Sequence, residues 1–510
     1  MGGRGSRWKQ RVNEVMKIQR IMLIRPGVRF PRMVFSQPLG LLYLVSVLRR
    51  DFPGEFEIEL VEQALDDLNL DQMRARIQRF DPDLIGFSCL SVEADEMHRV
   101  ASVAKALKPE CITVLGGPHA TVFFDYALND PNLDLVVLNE GEVTFPELLR
   151  ALREDRPLDE VAGIAFMREG RLVQTPPRDY VPELDSIPLP AWDLIAFNRY
   201  AVQMSMNAYS HSPPTAVFCT SRACPYQCIY CHSIFGKKVR YRSVENVIAE
   251  IELLTRTYGV RELHIVDDIF NLDLERAKRI CDEIVARGIQ VKIAFPNGLR
   301  GDRMDRELIH KLKQAGCYAI TYAVETASPR LQKLIKKNLN LEKVREAIAW
   351  TYEEGIIPQA FLMLGFPGET LAEMEMTVDY TLRAKLLRAI FFTVVIYPRT
   401  GLYELAQQEY PHFDFSRWNM FDMRYYSETP FYTKATGIDL FKIQRNAYRR
   451  FFFRPKTLAV FLWRFPKNLF LPRGIYWGLR AVFISLFKIE PVFRPLRKLW
   501  NRSRRLFTGA

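Results

Sequence analysis

Three thiols stand close together in one short run, Cys224-Pro225-Tyr226-Gln227-Cys228-Ile229-Tyr230-Cys231. Thiolates are the usual ligands of iron–sulfur clusters, and a cubane cluster held wholly by protein takes four of them. Three on one tight loop predict a [4Fe-4S] cluster with one iron left open for a small molecule, as a catalytic metal keeps an open position. A zinc knuckle would need a fourth Cys or His in register, and His232 adjoins Cys231, badly placed to close the same tetrahedron. The other cysteines, Cys89, Cys111, Cys219, Cys281 and Cys317, are scattered singly through apolar segments and read as reduced core thiols.

The elements that must position such a loop follow from length and patterning. A chain of 510 residues exceeds a single core and predicts two or three domains. Residues 18–150 alternate short apolar strands, at 21–24, 58–61, 84–88, 112–115 and 135–138, with helices such as 38–49 and 94–107. Strict alternation predicts an α/β fold with a doubly wound parallel sheet, whose ligand sits at the carboxyl ends of the strands near the switch point. Residues 151–205 read as a linker. The rhythm resumes over 206–435, with strands at 216–220, 262–266, 291–295, 319–324, 359–364 and 391–396, separated by helices. That is a six-stranded partial barrel, with chemistry gathered at the carboxyl ends of its strands.

Charge divides the chain differently. The formal net charge is +12, yet residues 441–510 hold seventeen Lys or Arg and one acid, Glu490, a formal +16 that leaves −4 on residues 1–440. Residues 436–510 therefore read as a basic, aromatic helical region. Such a mixture stacks on single-stranded nucleic acid, lies in an anionic membrane surface, or forms a helical lid with its arginines in solvent. Residues 1–20 lack the apolar stretch of a secretory signal, and no apolar run reaches the roughly 18 residues of a membrane span. The expected location is the cytoplasm, with the tail at the inner face of the membrane.

The cysteine loop resembles the cluster-binding loop of radical S-adenosylmethionine (SAM) enzymes. The resemblance implies that the open iron chelates the amino and carboxylate groups of SAM, and that one electron cleaves SAM to a 5′-deoxyadenosyl radical. It implies SAM contacts for Asp267 and Asp268 after the second barrel strand, Asn297 and Arg300 after the third, Glu325 after the fourth, Gly365 after the fifth and Tyr397 after the sixth. For the carboxylates, a helix N-cap or first-turn acid is the competing reading, and for Asn297 and Arg300 it is stabilisation of the turn.

The first domain resembles the cobalamin-binding domain fused to the amino end of many such enzymes. Its strand ends carry Ser88, Gly116, Gly117, His119, Glu140 and Gly141, with Pro38 and Gly40 at the start of the first helix. Small residues there let a large planar ligand approach the backbone, and the resemblance implies that these eight residues line cobalamin. The Asp-x-His-x-x-Gly loop that supplies a cobalt ligand in some cobalamin proteins is absent. His98 reads as a surface helical residue, and His119 as a loop residue packing near the cofactor without ligating cobalt. A sheet that only caps the barrel, without cobalamin, is the alternative.

The expected activity is a cobalamin-dependent radical SAM methyltransferase acting on an unactivated carbon of an apolar or membrane-associated small molecule, a lipid or a tetrapyrrole. A reducing donor such as flavodoxin or ferredoxin is implied, and nucleic acid is not expected. The alternatives are an oxidative or rearranging enzyme of the same architecture, such as a tetrapyrrole cyclase, and a membrane-bound non-catalytic sensor or scaffold.

Overall fold

The computed structural model describes residues 17–28, 34–415 and 431–465, apart from positions 202, 204, 208 and 233. Two sheets organise the chain. In the first, β1 (Arg20–Arg25), β2 (Glu57–Glu62), β3 (Leu84–Ser88), β4 (Ile112–Gly116) and β5 (Leu135–Val137) run parallel in the order 2-1-3-4-5. The central strands are nearly all apolar because helices cover both faces of the sheet. The order reverses between β1 and β3, and the carboxyl ends of those strands form the switch point.

The expected linker is structured. β6 (Ile164–Arg168) and β7 (Arg171–Gln174) form a hairpin that pairs antiparallel onto β5, so a purely parallel sheet is corrected to a mixed one. Its two-residue turn, Glu169-Gly170, has both residues at positive φ, the conformation that matches strand twist. Glu-Gly is a weaker turn signal than Asn-Gly or Asp-Gly, and β6 is buried enough to lose clean alternation. Val181, Leu184 and Ile187 then pack against Tyr43 and Val47 of the first domain. Trp192, Ile195, Phe197 and Tyr200 join the core of the second domain, where the Trp192 indole donates to buried Glu250 at 2.8 Å.

The second sheet holds six parallel strands in sequence order, β8 (Thr215–Phe218), β11 (Glu262–Ile265), β12 (Lys292–Leu299), β13 (Cys317–Glu325), β14 (Ile357–Leu364) and β15 (Arg388–Thr393). Between β8 and β11 lies a short antiparallel pair, β9 (Ser221–Arg222) and β10 (Arg240–Tyr241). Asp273, Asp305, Ser328, Asn340 and Thr370 cap the helices that follow the strands, each accepting from a first-turn amide. β15 starts three residues earlier than the apolar run suggests, because the run continues past the sheet: Val394 and Ile396 pack into a separate cluster with Phe366 and Phe431.

The barrel stays open between β8 and β15, and side chains cover both edges. At β8, the Gln37 amide donates to the Thr215 carbonyl and accepts from the Val217 amide, both at 2.9 Å. At β15, the Phe391 amide donates to the Tyr448 hydroxyl at 3.1 Å, and Gln444 donates to the Phe391 carbonyl at 2.6 Å. Tyr448 and Gln444 lie on the helix Leu440–Phe452, which is therefore a structural cover of the barrel edge. The next helix, Pro455–Arg464, has no fully buried residue. The expected basic region beyond residue 465 lies outside the described residues.

Candidate active site

The cysteine loop springs from the carboxyl end of β8 and spans the gap between β9 and β10. Ala223 turns the chain at φ 79°. Ile229 anchors the middle of the loop to the barrel, its amide donating to the Ile335 carbonyl at 3.1 Å and its carbonyl accepting from the Leu402 amide at 2.9 Å. Burial raises the pKa of Cys224 and of Cys231, the neighbouring Cys228 adds to both, and Cys231 is exposed. None of the three is in a disulfide or fully buried, and three such thiols on one loop are the kind of donors that would fit a [4Fe-4S] cluster with one open iron. Cys219, by contrast, is pushed up by burial and donates to the Ser221 carbonyl, as a core thiol would.

The carboxylates after β11 divide. Asp267 is 3% exposed and accepts from the Thr220 amide and hydroxyl and the Ser221 hydroxyl at 2.5–2.7 Å. It locks the β8–β9 turn, and its expected contact with SAM is corrected on that ground. Asp268 is exposed, accepts among the described residues only the Ala223 amide at 3.2 Å, and lies near Cys224 and Cys231. It is the carboxylate free to meet a ligand beside the thiols. Asn297 is exposed at the same rim, donating to the carbonyls of Val266 and Asp267.

Arg300 faces the loop from beneath. It pairs with Asp302 at 2.9 Å, donates to the Asn338 carbonyl, and stacks on Tyr226 at 3.9 Å. Its guanidinium holds the loop tyrosine and the neighbouring turn, which favours the turn-stabilising of its two expected roles. Glu325, at φ 64° on the bulged end of β13, accepts from Lys337 at 3.0 Å and from the hydroxyl of Tyr230 at 3.2 Å. Buried Glu325 and Lys337, with half-buried Tyr230, tie the loop to β13. Gly365 also differs from expectation: a Cβ there would meet Leu440 at 2.5 Å and Tyr432 at 3.1 Å, so its smallness serves helix packing rather than an adenosyl group. Its amide donates to the Glu369 carboxylate, which burial pushes up to about 8. Tyr397 stays at the barrel mouth, with its ring 5.8 Å from His232.

The first sheet presents a matching face. Val28 and Leu90, just past β1 and β3, are 57% and 45% exposed, an apolar rim in need of cover. Gly117 turns at φ 86° where a Cβ would strike the Ser88 hydroxyl at 2.8 Å, and Gly116 ends β4 beside it. Pro38 precedes the helix Leu39–Asp51, and Gly40 in its first turn is exposed with open space where a side chain would be. This apolar, small-residue face fits a large planar cofactor. His119 lies on the helix Gly117–Ala127 rather than in a loop. It is fully buried, bonded to the Ser91 hydroxyl at 3.1 Å, and burial lowers its pKa to about 4, so it is neutral at pH 7. His98 pairs with Asp130 at 2.6 Å.

Two of the expected cofactor residues serve packing instead. A Cβ on Gly141 would sit 3.1 Å from Leu44, so that glycine lets two helices approach. Glu140 has its carboxylate engaged by Arg222, Arg240 and the Val181 amide, all at 2.8–2.9 Å. Burial alone would raise its pKa, but the Arg240 hydrogen bond and the charge of Arg222 outweigh that and hold it below the ordinary carboxylate range.

The two faces meet. Phe123 bridges the domains, its ring 5.4 Å from His119 and 6.4 Å edge-on to His232, the residue after Cys231. His232 bonds the Pro398 carbonyl at 3.0 Å, and Arg399 pairs with Asp125 at 2.6 Å. Phe123, Tyr226, Tyr230, His232, Lys337 and Arg399 were not singled out in the sequence as site residues. Tyr226 and Tyr230, inside the cysteine motif, carried the one local signal available.

Comparison with known proteins gives matches to the Radical SAM superfamily over residues 218–381 and to the B12 binding domain over residues 34–149. An uncharacterized methyltransferase of Pyrococcus horikoshii is 30% identical over 453 residues, covering 87% of this chain and 94% of its own. The cytidylyl-2-hydroxyethylphosphonate methyltransferase of Streptomyces wedmorensis is 31% identical over 433 residues, covering 74% and 80%. Among solved structures, the radical SAM methyltransferase TsrM of Kitasatospora setae, with tryptophan substrate and a SAM analog bound, superposes with a TM-score of 0.65 at 20% identity, covering 76% of each chain.

Proposed function

The chain belongs to the radical SAM superfamily, among the members that carry a B12 binding domain ahead of the barrel, and we propose that it is a cobalamin-dependent methyltransferase. The observation that supports this most is the approach of Phe123 to His232, which brings the helix after β4 up to the residue that follows Cys231. The names of the two curated relatives point the same way. When bound, the cluster supplies the electron that cleaves SAM, and cobalamin carries the methyl group to be transferred.

The chain's own residues do the remaining work. Asp268 and Asn297 at the rim orient SAM beside the thiols, while Arg300, Glu325 and Lys337 hold the loop rigid. Buried, neutral His119 packs under the cobalamin face without offering a charge. In net terms, a C–H bond of the substrate becomes a C–CH3 bond and two SAM are consumed. One leaves as S-adenosylhomocysteine and one as methionine plus 5′-deoxyadenosine, which takes the substrate hydrogen. Two electrons enter from a flavodoxin- or ferredoxin-type donor.

An apolar substrate, reached from an anionic membrane surface at the cytoplasmic side, is the finer part of this reading. Inside the barrel Phe392 is 45% exposed and packs edge-on to Phe361 at 5.3 Å, which supports an apolar wall at the mouth. On the Pro455–Arg464 helix, Trp463 is 77% exposed, with Leu458 and Leu462 also exposed, and the chain then runs into its most basic stretch. Among the described residues no helix is long and apolar enough to cross a membrane.

The test is anaerobic turnover by protein loaded with cluster and cobalamin. Formation of both S-adenosylhomocysteine and 5′-deoxyadenosine, with the former lost when cobalamin is left out, is expected of a methyltransferase. 5′-Deoxyadenosine alone, from fully loaded protein supplied with substrate, points to the cyclase-type reading. No SAM cleavage at all points to a scaffold.

A further inference from the structure

We propose that Glu140 is a positioning residue that fixes the cysteine loop against the cobalamin domain and thereby sets the separation of the two cofactors. The loop that carries the three thiols begins after Arg222 and ends before Arg240, and these two arginines face each other as partners across the β9–β10 bridge. Glu140 follows β5 in the other domain, immediately ahead of the helix Gly141–Arg153. It takes one guanidinium nitrogen from each arginine and anchors itself on the Val181 amide. A single carboxylate grips both roots of the loop.

The surroundings make that grip specific. Glu142, two residues on, takes the second nitrogen of Arg222 at 2.6 Å. Arg240 also donates to the carbonyls of Val181 and Phe235, and its guanidinium lies 4.9 Å from the Tyr180 ring. Arg222 lies over Tyr43 and Phe235 at 5.2 and 5.5 Å. None of the four charged side chains is more than 9% exposed, so water cannot replace a lost partner. Buried ion networks are poor sources of net stability compared with apolar packing, and fixing a unique register is their best-attested use. Other links cross this boundary away from the roots of the loop: buried Gln37 bonds Thr215 and Val217 at the edge of β8, the Arg399–Asp125 pair is largely exposed, and Phe123 meets His232 edge-on.

This inference rests on the reading that cobalamin occupies the carboxyl end of the first sheet. The experiment is pulsed dipolar electron paramagnetic resonance between the reduced cluster and Co(II) cobalamin in the full chain, comparing wild type with Glu140→Ala. Iron and cobalt contents and 5′-deoxyadenosine formation are measured on the same samples. The expected result is one narrow distance in wild type and loss of that narrow component in Glu140→Ala, with both cofactors and SAM cleavage retained. A wild-type distance and width in the variant overturns the proposal. So does an unchanged distance with reduced cobalt, which would make Glu140 a cofactor contact. If Glu140→Ala does not accumulate folded, Glu140→Gln keeps the shape, removes the charge and carries the same comparison. Failure of the methyltransferase reading shows separately, as wild type that forms 5′-deoxyadenosine but no S-adenosylhomocysteine, and leaves the distance comparison intact.

Discussion

Asp267 and Asp268 are neighbours in the chain and opposites in role: the first is buried under the turn between β8 and β9, the second is exposed beside the thiols. A strand end turns consecutive side chains to opposite sides. Removing Asp267 would strand the Thr220 amide and two hydroxyls inside the protein. Asp267→Ala is therefore expected to destabilise the protein by about 3 kcal/mol and to lower iron content, both readable by thermal unfolding and iron analysis. Asp268→Ala is expected to keep fold and iron while 5′-deoxyadenosine formation falls about tenfold, the loss of roughly one hydrogen bond involving a charged group. The reverse pattern would exchange the two assignments.

Glu369 gives stability a pH dependence whose sign can be worked out. Its Oε2 accepts from the amides of Gly365 and Phe366, its Oε1 has no partner among the described residues, and burial raises its pKa from 4.5 to about 8. Between those values the folded protein holds a proton that the unfolded chain has released. Stability should fall as pH rises through that window, by at most about 1.4 kcal/mol per pH unit. Glu369→Gln lacks this slope, so denaturant unfolding of the two proteins should diverge toward pH 8. Parallel curves would mean that Glu369 is ionised in the folded state.

The tail carries a prediction of its own. Phe465 is buried against Tyr209 at 4.6 Å, and Arg464 donates to the Tyr352 carbonyl at 3.0 Å, so the folded body extends to residue 465. A chain ending at Phe465 should fold and cleave SAM, yet sediment poorly with anionic liposomes that the full chain binds. Each basic residue held near the bilayer contributes on the order of 1 kcal/mol, and added salt should weaken the binding. Tight binding of the full chain to single-stranded RNA, without liposome binding, would turn the substrate search to nucleic acid.

The cysteine spacing was legible in the sequence because a cluster loop needs no long-range partner to declare itself. The strands were legible because buried parallel strands are continuous apolar runs between helices. What escaped was the set of contacts that span the domains. Glu140 and Arg240 lie 100 residues apart and Asp125 and Arg399 lie 274 apart, and no local pattern marks a carboxylate that will meet a guanidinium from another domain. The same holds within the barrel, where Arg300 reads as a free cation until Tyr226 and Asp302 are seen to occupy it. Gly365 misled for a related reason: a glycine turn shows that something approaches closely, and here Leu440 and Tyr432 do.

The most direct test of the account follows a methyl label. Protein loaded with cluster and cobalamin is given SAM carrying a trideuteromethyl group, a low-potential reductant and an apolar extract of cells lacking this protein. Mass spectrometry then asks where the label goes. A labelled apolar product is expected together with S-adenosylhomocysteine and 5′-deoxyadenosine, and it should be lost in Cys224→Ala, Cys228→Ala and Cys231→Ala. A product formed with 5′-deoxyadenosine but without label or S-adenosylhomocysteine would contradict that expectation.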